Sequence, residues 1–132
     1  MIEREGIEAF VDYWERLPLF ASQAALPTTV LDRQRAQRLA NSPRGLANNL
    51  RSIGAGMMEP LHDRLGEIQS PVLLMAGALD EKYCRLGRTM AETIPEVRLV
   101  VVPGAGHAIH LEQPEAFSRH VLDFLHHTNQ DL

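Results

Sequence analysis

The sequence predicts an α/β protein: a helical segment over residues 1–58, then a βαβα unit with parallel strands over residues 59–132. Three observations carry this. Apolar residues recur at helical spacing as far as about residue 58. Two continuous apolar runs follow, each bounded by turn residues. Between and after those runs the helical spacing returns, which is the pattern of strands joined by crossover helices.

In the first segment Ile7, Phe10, Val11 and Trp14 fall on one helical face, and Pro18 is expected to end it. Thr29 followed by Asp32 has the form of a capping box, predicting a second helix to about Ala40. Ser42 and Pro43 supply an N-cap and a first-turn proline for a third helix. Leu46, Leu50 and Ile53 give it an apolar stripe, and Gly54 and Gly56 end it.

A short helix with Leu61, Leu65 and Ile68 precedes Ser70-Pro71. Val72-Leu73-Leu74-Met75-Ala76 then reads as a strand buried on both faces. Leu86, Met90 and Ile94 mark the crossover helix, and Arg98-Leu99-Val100-Val101-Val102 the second strand. The last helix starts near Pro114 and carries Phe117, Val121, Phe124 and Leu125. Two parallel strands alone leave both edges bare, so the sequence behaves as part of a larger sheet.

Composition bounds the function. A hydrophobic fraction of 45% and a charged fraction of 23% describe an ordinary soluble domain. The net charge of −4 gives no electrostatic case for nucleic acid or an anionic membrane. No apolar run approaches the roughly 20 residues of a spanning helix, and the first ten residues carry no apolar signal core. One cysteine, Cys84, permits no internal disulfide; it is expected in the core of a protein of the reducing cytoplasm.

Polar clusters follow both strands: Gly77-Ala78-Leu79-Asp80-Glu81-Lys82 and Pro103-Gly104-Ala105-Gly106-His107. Parallel sheets bind ligands at the carboxyl ends of their strands. Asp80 and His107 are 27 residues apart, about one helix and one strand, and a parallel crossover returns the chain to the same end. A carboxylate on one imidazole nitrogen fixes the tautomer, leaving the other to act as general base or acid. Taken alone, Asp80 also suits a helix N-cap and His107 a surface glycine turn, and spacing does not decide between these readings.

Gly104-x-Gly106-His107-x-x-His110-x-Glu112-x-Pro114-x-x-Phe117, followed by Phe124-Leu125, resembles the C-terminal signature of the α/β-hydrolase superfamily. Pro71-Val72-Leu73-Leu74-Met75-x-Gly77-x-x-Asp80 resembles the strand and acid loop before it. The resemblance implies that Asp80 and His107 are the second and third members of a catalytic triad. The serines, at 22, 42, 52, 70 and 118, do not occur in G-x-S-x-G. The nucleophile and oxyanion hole are therefore expected outside this chain, as in a split or truncated product.

The helical segment narrows the resemblance. Phe10-Val11-Asp12-Tyr13-Trp14-Glu15-Arg16-Leu17-Pro18-Leu19-Phe20-Ala21-Ser22-Gln23, Arg35-x-x-Arg38-x-x-Asn41 and Leu46-Ala47-x-x-Leu50-Arg51-x-x-Gly54-x-Gly56 are similar to the cap of one group. That group is the 2-succinyl-6-hydroxy-2,4-cyclohexadiene-1-carboxylate synthases of menaquinone biosynthesis. Leu79-Asp80-Glu81-Lys82-Tyr83 resembles its Asp-x-Lys-Phe pattern. The resemblance implies pyruvate elimination from a small-molecule carboxylate, with no cofactor, and substrate contacts from Trp14 and Arg38. Trp14 equally suits the core and Arg38 a solvated helix face. His110 is expected to order its turn, and His126 and His127 lie in a polar tail without metal-ligand spacing.

Two other functions are open on the sequence. One is a carboxylic ester or lactone hydrolase of the same fold. The other is an inert fragment whose bare sheet edge drives self-association or swapping into a homo-oligomer.

Overall fold

Val72–Gly77 (β1) and Val97–Val102 (β2) are rich in β-branched and aliphatic residues, and they pair in parallel. The register runs from Val72 opposite Val97 to Gly77 opposite Val102, so both strands end at the same level. The computed structural model describes residues 2–54 and 56–128. The chain divides into two compact units, Met1–Pro60 and Leu61–Leu132.

In the first unit, helix α1 (Ile2–Glu15) is interrupted at Gly6, whose φ of 88° favours glycine. Pro18 ends α1 as expected, but it also opens a 3-10 helix, Pro18–Ala25, that the sequence pattern does not reveal. Helix α2 (Thr28–Leu39) starts two residues earlier than the capping pattern implies. Pro27 holds the cap position and no side chain caps the helix, so Thr29 lies inside the first turn. Helix α3 (Pro43–Ser52) is capped as the sequence predicts, with Ser42 Oγ accepting the Gly45 amide at 3.2 Å. Its buried residue is Ala47, whereas Leu50 and Ile53 remain exposed. Leu46 and Leu50 instead border a cavity described below.

In the second unit a 3-10 helix, His62–Glu67, leads into β1. Helix α4 (Glu81–Ala91) crosses over to β2, and α5 (Ile109–Glu112) and α6 (Pro114–Thr128) close the chain. Ile94 lies beyond the end of α4 but is buried. Val102, Ala105 and Ile109 form the core, packed with Met75, Val100, Ala116 and Phe117. The apolar run predicts full burial of β1, yet Val72 to Met75 are half-buried. In these residues α4 packs on β1 and β2 and α6 on β2, which leaves part of the sheet uncovered.

Candidate active site

The loops after β1 and β2 are stitched together by backbone. The Ala78 amide donates to the Val102 carbonyl and the Leu79 amide to the Ala105 carbonyl, both at 2.9 Å. Gly77 permits this approach: a Cβ there would drive into the carbonyls of Ala105 and Gly106. Gly104 turns the second loop at φ 69°, a conformation that side chains resist. Glu112 then fastens the loop, its Oε2 accepting the Gly106 amide.

These constraints bring Asp80 and His107 together. Asp80 Oδ2 lies 2.7 Å from His107 Nδ1. Asp80 is buried, at 7% exposure, whereas the His107 side chain is about one-third open. Asp80 is also the N-cap of α4, with Oδ1 accepting the Tyr83 amide at 3.2 Å. The acid and cap readings of Asp80 therefore coexist on separate oxygens. A carboxylate held in this way presents its second oxygen to the imidazole and stabilises an imidazolium. The Tyr83 ring stands edge-on to His107, with centroids 4.7 Å apart. Cys84 is buried beneath the loop and its thiol donates to the Gly77 carbonyl at 3.2 Å.

The pattern of the alpha/beta hydrolase family matches residues 3–120. The chain belongs to the alpha/beta hydrolase family. A Bacillus subtilis protein, provisionally named 2-succinyl-6-hydroxy-2,4-cyclohexadiene-1-carboxylate synthase, is 45% identical over 94% of this chain and 45% of its own length. The solved structure of MenH from S. aureus is similar at 41% identity and a TM-score of 0.95, over 97% of this chain and 48% of that one. A malate-bound esterase from Thermogutta terrifontis is similar at 26% identity and a TM-score of 0.74, over 96% and 46%. The chain thus spans about half the length of the hydrolase-family relatives it matches.

In the first unit of this hydrolase-family chain, Trp14 and Arg38 border one cavity of about 220 Å³, together with Phe10, Val11, Leu46 and Leu50. Trp14 stacks between Phe10 and Phe20 at centroid distances of 5.6 Å. Arg38 lies 5.9 Å from the Phe20 ring centre and donates to Glu15 Oε1 at 3.0 Å. Glu15 accepts from Arg35 on its other oxygen at 2.6 Å, and Arg35 reaches Asp12 at 2.6 Å. Hydrogen bonds to Asp12 and then Glu15 hold the Arg35 guanidinium above its usual range.

Among the described residues, no group of three His, Cys, Asp or Glu is arranged to hold a metal ion. Nor is any helix among them long and apolar enough to cross a membrane. His110, in α5, sets its ring against Phe117 of α6, with centroids 6.1 Å apart. Sequence reasoning missed the parts played by Gly77, Tyr83 and Glu112. All three carried a signal as members of the quoted motifs, Tyr83 at the phenylalanine position of the Asp-x-Lys-Phe pattern.

Proposed function

We propose that this chain supplies the acid and base of a 2-succinyl-6-hydroxy-2,4-cyclohexadiene-1-carboxylate synthase, which eliminates pyruvate from a cyclohexene carboxylate. The observation that carries the reading is the 2.7 Å contact between Asp80 and His107 in a chain 45% identical to a protein of that name. Residues 1–58 act as the cap and bind substrate through Trp14 and Arg38; residues 59–132 complete the catalytic core. A planar guanidinium suits a carboxylate-bearing substrate because it binds bidentately. The lone buried thiol of Cys84 suits a reducing cytoplasm.

Asp80 holds His107 in the Nδ1–H tautomer, and Nε2 faces the chemistry. His107 takes the proton of a serine hydroxyl contributed from outside these 132 residues, and that oxygen removes a ring proton. The C–H electron pair becomes the new ring double bond. The carbon–oxygen bond breaks, and the leaving group departs as the enolate of pyruvate, which takes the proton that His107 holds and leaves as the enol. Assaying pyruvate release by the complete protein tests this: release that disappears in His107→Gln is expected. Absence of release with the serine intact would overturn it. The 132 residues alone are expected to be inactive, because no serine here stands in G-x-S-x-G.

A second reading rests on the likeness to the T. terrifontis esterase. The same Asp80–His107 pair serves acyl transfer, with the serine forming an acyl-enzyme. Efficient turnover of simple esters without pyruvate release would favour it.

A further inference from the structure

We infer that Tyr83 is a positioning residue that holds both members of the Asp80–His107 pair, its amide fixing the carboxylate and its ring fixing the imidazole. The inference rests on the proposed role of that pair. The hydrogen bond from Nδ1 to Asp80 sets the direction of the imidazole but not the plane of its ring. The neighbours of His107 in the chain cannot confine it, because Gly104, Ala105, Gly106 and Ala108 have little or no side chain. A ring from another element can confine it. Tyr83, in the first turn of α4, provides one at 4.7 Å and an interplanar angle of 61°, an edge-to-face arrangement that is itself attractive.

The ring does little for the core. Tyr83 is 39% exposed, so burial does not explain where it sits. Its ring is braced in turn by Lys82, whose Nζ lies 5.7 Å from the ring centre in a cation–π contact. Its amide donates to Asp80 Oδ1, which leaves Oδ2 for His107. One residue therefore fixes both the carboxylate and the imidazole plane. The hydroxyl has no part in either contact, in keeping with the phenylalanine of the Asp-x-Lys-Phe pattern.

The test is the imidazole nitrogen spectrum of His107 in the complete protein, assigned by its loss in His107→Gln, with Tyr83→Ala and Tyr83→Phe compared. Tyr83→Ala keeps the amide and removes the ring. Its ratio of Nδ1–H to Nε2–H tautomer is expected to fall roughly 2- to 10-fold, the range an aromatic edge contact supports. Tyr83→Phe is expected to restore the wild-type ratio. In the pyruvate assay kcat should fall in parallel in Tyr83→Ala, with KM little changed, and recover in Tyr83→Phe. An unchanged tautomer ratio in Tyr83→Ala overturns the inference, as does a Tyr83→Phe variant as impaired as Tyr83→Ala. If Tyr83→Ala disturbs the amide spectrum throughout, Tyr83→Leu carries the same two outcomes. The tautomer readout needs no substrate, so it stands or falls apart from the pyruvate assay.

Discussion

Asp80 divides its carboxylate between two partners: Oδ2 meets His107 Nδ1 at 2.7 Å, and Oδ1 accepts the Tyr83 amide at 3.2 Å. The two duties respond differently to substitution. Asparagine caps a helix about as well as aspartate, so Asp80→Asn should leave the unfolding midpoint nearly unchanged. It also removes the charge and favours the wrong histidine tautomer, a change that costs on the order of 10⁴ in kcat in a comparable triad. Asp80→Ala should lose the activity and, in addition, roughly 1–2 kcal/mol of stability with the cap. Denaturant melts and pyruvate release on the same two variants separate these effects. Equal stability of Asp80→Asn and Asp80→Ala would remove the cap from the account.

Gly77 sets the distance between the two loops. A methyl group there meets backbone carbonyls, which cannot rotate away as a side chain can. Gly77→Ala should therefore part the loops, break the Leu79–Ala105 hydrogen bond and cost roughly 1–3 kcal/mol as an overpacked site. Gly66→Ala is the control. Its added carbon would meet only the Thr93 carbonyl, at an ordinary 3.8 Å. Its effect should stay within about 0.5 kcal/mol. Matching denaturation midpoints for the two variants would contradict the steric argument.

The parallel crossover allowed Asp80 and His107 to meet at one end of the sheet, and the resemblance to the hydrolase signature chose that pairing over the cap and surface-turn alternatives. Ser42-Pro43 was legible because a cap and a first-turn proline act through local geometry alone. The capping pattern at Thr29 misled because Pro27, two residues upstream, already holds an extended conformation and lets the helix begin at Thr28. The 3-10 helix over Pro18–Ala25 lacks the 3.6-residue period that reveals a helix. Loop-to-loop contacts leave no periodic trace, so Gly77 and Glu112 stood in their motifs without a visible role. Residue type alone suits Asp80 to a cap or to an acid, and only the structure assigns one oxygen to each.

Glu112 anchors the histidine loop at Gly106. Gly106 is buried, and its amide donates to Glu112 Oε2. Glu112→Ala leaves that buried donor without its acceptor, at a cost of about 1–3 kcal/mol. Glu112→Gln keeps an acceptor oxygen of the same reach and should recover most of the loss. Hydrogen exchange at the Gly106 amide reports the site directly: it should accelerate in Glu112→Ala and stay slow in Glu112→Gln. Slow exchange in Glu112→Ala would mean that the carboxylate does not hold the loop.

Arg38 tests the substrate side of the proposal. Glu15 and the Phe20 ring hold its guanidinium beside Trp14 at the 220 Å³ cavity, and Glu15 is itself held by Arg35. A preorganised fork loses less freedom on binding a carboxylate than a lysine would. Arg38→Lys keeps the charge and loses the fork, so KM should rise about 10-fold, in keeping with one charge-assisted hydrogen bond. Because Arg38 is distant from the proton transfer in role, kcat should change little. Asp80→Asn should show the converse, a collapse of kcat with KM nearly preserved. Kinetics on the complete protein read both. An Arg38→Lys variant with unchanged KM would return Arg38 to the solvated helix face that its charged sequence neighbourhood also suits.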